Sequence, residues 1–86
     1  MPHPRMTRPS ALVLLALSLD PQPVPALADR LAARGEFLTE AEVRGQLQRL
    51  VRDGHAAEGR DAGQPVYALA AAADEGLDLA WGLVRP

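Results

Sequence analysis

The chain has 86 residues and a formal net charge of −2, and its composition is 48% hydrophobic but only 3% aromatic. This length predicts one domain that buries roughly 60% of its unfolded surface, so we expect a small core of Leu, Val and Ala that is supplemented by dimerisation. The absence of cysteine excludes disulfides and thiolate chemistry and fits a cytoplasmic protein. Nucleic-acid-binding domains often carry a net positive charge, which this chain lacks. A local basic face is still compatible with its composition.

The N-terminal part of the chain predicts an arm and then a helix. Residues 1–9 hold three prolines and no apolar run, which is typical of a flexible arm, so the folded domain is expected to span residues 10–86. Ser10 is placed to cap a first helix with the sequence ALVLLALSL. This helix is expected to end where Asp20 and Pro21 forbid another turn.

The same region also imitates a secretory signal. Arg5 and Arg8 precede the apolar run, and a small-residue site ending at Ala28 follows it. Cleavage there would begin the mature chain at Asp29 and would remove the first helix from the core. We therefore favour a folded N-terminus and keep secretion as an alternative.

A second helix is predicted at about residues 25–34, after a Pro-rich link. Pro25 suits a first turn, where its missing N–H leaves no donor unpaired, and Gly35 stands just past the predicted end. The next three residues, 36–38, are predicted to add a short first strand before the third helix.

The third helix has the clearest local signals. Thr39 and Glu42 have the spacing of a capping box, in which each side chain satisfies a backbone N–H at the helix start. Gly54 is the expected left-handed residue that ends the helix. These signals predict a helix over about residues 39–53. The apolar residues that recur at helical spacing within it are Val43, Leu47, Leu50 and Val51.

Two short strands and a last helix complete the prediction. The strands are expected at residues 55–58 and 65–69, with Gly59 and Gly63 forming the turn between them. Residues 70–84 predict a fourth helix, and no apolar stretch reaches the length of about 20 residues that a membrane span needs. The residues predicted to share one side of the fourth helix are Leu77, Ala80, Trp81 and Val84.

The order of these elements resembles that of bacterial winged helix-turn-helix transcriptional regulators, with the PadR-like and ArsR-like groups nearest. The residues that carry the resemblance are Leu47, Leu50, Asp53, Gly54, Gly63, Pro65, Val66, Tyr67 and Leu69. The resemblance implies an α+β, mainly α fold with a three-helix core, a β-hairpin wing and a C-terminal fourth helix. It also implies a recognition helix at about residues 39–53, a wing at about residues 55–69, and regulation of transcription by sequence-specific binding to double-stranded DNA.

The third helix supplies the predicted DNA contacts. Arg44, Gln48 and Arg52 lie one turn apart, and in the major groove Arg pairs well with guanine and Gln with adenine. The alternative is an ordinary solvated face on which Glu40 pairs with Arg44. The full set of predicted DNA-binding residues is Arg44, Gln48, Arg49 and Arg52 on the helix, Arg60 on the wing, and Arg5 and Arg8 in the arm.

The fourth helix supplies the predicted dimer interface. Relatives of the resembled family dimerise through this element, so a homodimer interface is expected at Leu77, Trp81 and Val84. Trp81 could equally seal the domain's own core. The acidic balance and the apolar last helix favour an alternative function, a winged-helix module that binds protein partners without DNA.

Catalytic chemistry finds little support in the sequence. The two histidines, His3 and His55, have no cysteine or paired carboxylate at metal-ligand spacing. The chain has no phosphate-binding GxxxxGK[ST] motif and no GxSxG motif, and Tyr67 is interpreted as a structural strand residue. The sequence therefore predicts a protein that acts by binding, without a catalytic residue, a metal or a cofactor.

Overall fold

The computed structural model describes residues 6–71 and 73–84. Within them the chain forms a mainly helical α+β fold, which confirms the predicted class at that level and is compatible with a winged-helix layout. None of the helices in this part of the chain has the length and hydropathy needed to cross a bilayer. The elements are α1 (Arg8–Ala16), β1 (Gln22–Pro23), α2 (Val24–Ala33), α3 (Glu40–Arg52), β2 (Ala56–Asp61), β3 (Gln64–Leu69) and α4 (Asp74–Val84).

The first helix begins earlier than predicted. Thr7 is the N-cap, and its hydroxyl accepts a hydrogen bond from the Ser10 N–H at 3.3 Å. Ser10 is buried, and its own hydroxyl donates to the side-chain oxygen of Gln46 on α3. The prediction that Ser10 caps the helix was wrong, because its side chain connects two helices instead. Arg8, predicted in the arm, lies in the first turn of α1, and Arg5 lies outside the described residues.

The predicted strand at residues 36–38 is absent, and the first strand lies before α2 instead. Gly35 has a φ of +83° and turns the chain at the end of α2. The Glu36 N–H then donates to the Leu31 carbonyl at 2.9 Å, so this segment stays bound to the helix end and continues as a loop to α3. The first strand is Gln22–Pro23 in the Pro-rich link, which pairs antiparallel with β3.

The third helix forms as predicted. Both halves of the capping box are present, with the Glu42 N–H donating to the Thr39 hydroxyl and the Thr39 N–H donating to the Glu42 carboxylate, each at 3.1 Å. Gly54 has a φ of +83°, and the His55 N–H donates to the Leu50 carbonyl beyond it, which ends the helix. The buried face of α3 consists of Val43, Leu47 and Leu50.

The hairpin is longer and its turn tighter than predicted. The strands β2 and β3 are joined by only Ala62 and Gly63, whose φ values of 52° and 80° are typical of a type I′ turn. Gly59 lies within β2 opposite Val66, so the prediction that it belongs to the turn was wrong. A two-residue turn suffices because both of its residues adopt positive φ. Strand β3 is central in the sheet, whose order is β1-β3-β2.

The fourth helix starts later than predicted and closes the core. Its first residue is Asp74 rather than Ala70, because the Ala70 N–H donates to the His55 carbonyl at 3.0 Å and extends the path of β3. Helix α4 packs on α1, which also contacts α2 and α3. Gly76 of α4 lies against the His55 ring. The largest fully buried side chains are Val13, Leu14, Leu27, Leu31, Val43, Leu47 and Leu50.

Candidate nucleic-acid interface

One face of α3 is polar and exposed. Its opposite face is held in the core by three buried apolar side chains, so the period of 3.6 residues per turn leaves the polar residues in solvent. The Ser10 hydrogen bond to Gln46 adds a polar attachment to α1. Four of the predicted DNA-binding residues are exposed here, namely Arg44, Gln48, Arg49 and Arg52.

The arginines of this face are not neutralised by ion pairs. Among residues 6–71 and 73–84 the only salt bridge joins Arg8 to Glu36, at 3.7 Å. The pairing of Glu40 with Arg44, expected for an ordinary solvated face, is not formed in that part of the chain. The guanidinium groups of α3 are therefore available to an external anion. Arg8 is the exception among the described predicted residues, since its charge is already partly compensated.

Two acidic residues near this face have structural partners. The Glu42 carboxylate accepts the Thr39 N–H in the capping box, and Glu58 on β2 accepts the phenol of Tyr67 at 2.7 Å. Glu40 and Asp53 stay exposed at the two ends of α3. The acidic charge near the helix is thus concentrated at its ends, while its middle carries Arg44, Gln48 and Arg49.

Tyr67 is buried in the hairpin, in agreement with its interpretation as a structural strand residue. Its side chain is only 3% exposed, and burial, with the hydrogen bond to Glu58 and the charge of that carboxylate, raises the pKa of Tyr67 to about 12. The charges of Arg44 and Arg60 act in the opposite direction and lower this pKa. Helix α3 contacts strand β2, so the helix and the hairpin lie side by side.

The tip of the hairpin carries the predicted wing residue. The Arg60 guanidinium donates to the Gly63 carbonyl at 3.1 Å, so the side chain is folded across the turn. One bond uses one of the five N–H donors of an arginine, and the side chain is exposed. A shallow cleft of about 130 Å³ lies between the hairpin and the first turns of α2 and α3. It is lined by Val24, Pro25, Glu40, Arg44, Gln64 and Pro65.

The predicted dimer residues divide into two kinds. Leu77 and Val84 are half-buried and pack against the domain's own core, whereas Trp81 is 54% exposed. Leu79 and Leu83 are also exposed and were missed by the sequence interpretation, which considered only one side of the helix. The sequence does contain a signal for these two residues. No charged residue occurs from 79 to 84, so α4 is apolar on both flanks.

Neither metal-ligand geometry nor similarity to known proteins assigns a chemistry to this chain. Among the residues that the structure describes, no group of three or more His, Asp or Glu side chains is arranged to hold a metal ion, and His3 lies outside them. No family model, curated protein or solved structure matches the chain.

Proposed function

We propose that this protein is a small winged-helix regulator of transcription that binds double-stranded DNA through α3. The order of helices, the three-stranded sheet and the hairpin after α3 are compatible with that layout. In this proposal α3 is the recognition helix and the β2–β3 hairpin is the wing. The protein acts by binding, in the cytoplasm, and most effectively as a homodimer that contacts two half-sites.

The observation that carries the proposal is the row of exposed arginines on α3 that have no carboxylate partner in the described part of the chain. A guanidinium is a planar fork of donors that matches phosphate oxygens and the major-groove edge of guanine. Arg44 and Gln48 near the middle of the helix are assigned to base edges. Arg49, Arg52 and the wing residue Arg60 are assigned to phosphates, which position the helix without reading sequence.

The net charge of −2 sets the expected strength of binding. A few phosphate contacts give a shallow dependence on salt, because each adds about 0.9 to the slope of log affinity against log salt concentration. The acidic residues at the ends of α3 oppose binding there: Glu40 and Glu42 in its first turn and Asp53 at its last. Affinity is therefore expected to depend on the base contacts more than on total charge.

The test is binding of a fluorescently labelled duplex, measured by polarisation across a salt series. One duplex has random sequence and the other comes from the gene's own upstream region. Arg44→Ala is expected to weaken binding to the preferred duplex by about 1–3 kcal/mol, and Arg52→Ala to lower the salt slope by about 1. Arg34→Ala removes an exposed arginine from outside α3 and serves as the control for charge.

Two outcomes would overturn the proposal. One is the absence of binding to either duplex at low salt. The other is equal affinity of the parent, Arg44→Ala and Arg52→Ala, which would mean that any binding uses another surface.

A second function, a module that binds protein partners, is favoured by the exposed apolar residues of α4. Leu79 and Leu83 stand one helical turn apart and are 52% and 43% exposed, and adjoining large apolar side chains in solvent are typical of interaction sites. Trp81 is 54% exposed on another side of the same helix. This function predicts that Trp81→Ala changes the oligomeric state or abolishes partner capture. An unchanged mass in solution together with intact partner binding would exclude it.

A further inference from the structure

A groove with an apolar floor lies between α1, α2 and α4. Its volume is about 340 Å³, at the lower end of the range of roughly 300–1,000 Å³ that is typical of sites for small molecules. Its lining residues are Leu12, Leu15, Leu31, Arg34, Glu36, Trp81 and Val84. None of them belongs to α3 or to the hairpin, so the groove is separate from the face assigned to DNA.

The apolar part of the groove is built by three helices. Leu12 and Leu15 of α1 are only half-buried, although both pack against the core, because the groove leaves one side of each uncovered. Leu31 of α2 also lines the groove and is 1% exposed. Trp81 of α4 adds an indole that is both part of the lining and open to solvent. A hydrocarbon chain or ring placed here would remove apolar surface from water on both partners.

The polar rim of the groove consists of one guanidinium and one carboxylate, those of Arg34 and Glu36. The Arg34 guanidinium donates to the Leu15 carbonyl at 3.2 Å, which fixes the side chain at the groove and leaves its other N–H groups unused in the described part of the chain. Glu36 also lines the groove, but its carboxylate lies 3.7 Å from Arg8. Because Glu36 is already paired with Arg8, the Arg34 guanidinium has no carboxylate partner in the described part of the chain and suits an anionic head group.

We infer that this groove binds a small amphipathic carboxylate, a molecule with one carboxylate and a short apolar tail or ring. The tail packs on the leucines and Trp81, and the carboxylate is held by Arg34. Hydrogen bonds between a guanidinium and a carboxylate are roughly twice as strong as those between neutral groups, so the head group gives selectivity and the tail gives affinity. This inference does not depend on DNA binding, but it competes with the dimer interface expected at Trp81 and Val84, because a ligand and a second copy would cover the same side chains.

The experiment uses the full chain and its only tryptophan, Trp81, as the reporter. Indole fluorescence is measured while the protein is titrated with octanoate and, separately, with octanamide, which has the same length and no charge. We expect a saturable change with both and an affinity for octanoate that is about tenfold higher. Titrations of the free protein without DNA make the result independent of the proposed function.

Variants of the rim test the assignment in both directions. Arg34→Gln is expected to abolish the preference for octanoate, whereas Glu36→Gln is expected to increase the affinity for octanoate several-fold. Arg49→Gln removes an exposed arginine of α3 by the same change and is expected to leave octanoate binding unchanged. Circular dichroism shows whether each variant is folded. If a variant is unfolded, the comparison of octanoate with octanamide on the parent protein still tests whether the groove selects a carboxylate.

Three results would overturn the inference. The first is the absence of a saturable fluorescence change with octanoate. The second is equal affinity for octanoate and octanamide, which would mean that the rim does not select a carboxylate. The third is an emission shift of Trp81 that follows protein concentration alone and accompanies a doubled mass in solution, because a second copy would then cover the groove.

Discussion

Tyr67 and Glu58 stand directly opposite each other on β3 and β2, and the phenol donates to the carboxylate at 2.7 Å. The bond lies at the base of the wing and binds its two strands through side chains as well as through the backbone. It also gives the Glu58 carboxylate a hydrogen-bond partner within the hairpin. One contact thus stabilises the hairpin and fixes the position of a carboxylate that keeps its negative charge.

The ionisation of Tyr67 is expected to occur far above its usual range. Its pKa is raised to about 12 in the folded protein, chiefly by burial and then by Glu58, against 10.0 for the unperturbed phenol. Since the folded pKa is the higher one, the free energy of unfolding is unaffected by this group below pH 10.0 and falls as pH rises from there to about 12. The chain has one tyrosine, so its absorbance change on ionisation measures this pKa directly.

A matched variant separates the two causes of that shift. In Glu58→Gln the pKa of Tyr67 is expected to move toward the ordinary value but to stay above it, because burial persists. A parent protein whose tyrosine ionises near pH 10.0 while still folded would contradict the assignment of Tyr67 to a buried site.

Substitution of two glycines in α4 is expected to have opposite effects. A Cβ on Gly76 would lie 2.8 Å from Cγ of His55, too close for the ring to stay in place, so Gly76→Ala is expected to destabilise the protein by about 1–3 kcal/mol. A Cβ on Gly82 would meet nothing within 4 Å. Gly82→Ala is therefore expected to be neutral or to stabilise by up to about 1 kcal/mol, because Ala is the better helix former.

Denaturant unfolding of both variants measures these effects. His55→Ala removes the ring and is expected to abolish most of the cost of Gly76→Ala when the two are combined. If Gly76→Ala is as stable as Gly82→Ala in the parent background, helix α4 does not pack on His55 in this way.

The turn of the β2–β3 hairpin contains a residue whose substitution is expected to stabilise the protein. Ala62 has a φ of 52°, a conformation that is unfavourable for an alanine and that Asn adopts readily before a glycine in a type I′ turn. Ala62→Asn is expected to raise the free energy of unfolding by about 0.5–1 kcal/mol, and Ala62→Val to lower it. Thermal unfolding of the three proteins checks the order, and a parent more stable than Ala62→Asn would argue against this turn type.

Local signals predicted some elements well because their causes are local. The capping box of Thr39 and Glu42 and the left-handed Gly54 need no distant partner, so α3 could be located from the sequence. Strand β1 has two residues and exists only because β3 lies beside it, and no periodic pattern can signal a strand of that length. The turn was misplaced for a related reason, since Ala62 gives no sign of a positive φ.

In the candidate interface, too, features with local causes were predicted and long-range contacts were not. Helical periodicity was enough to predict which side of α3 is polar, and Arg44, Gln48 and Arg52 are all exposed as that pattern requires. Whether an arginine is paired depends on elements that are distant in sequence, as the Arg8 contact with Glu36 illustrates. The groove was not predicted, because Arg34 and Trp81 come together only when α4 returns to pack on α1.

The scarcity of aromatic residues has a practical consequence. The single tyrosine lies in the hairpin and the single tryptophan lines the groove, so each of the two surfaces has its own optical signal without any label. Absorbance of the phenol follows the wing, and emission of the indole follows the groove. Helix α1 contacts both α3 and α4, and a ligand that changed both signals at once would show that these distant surfaces communicate.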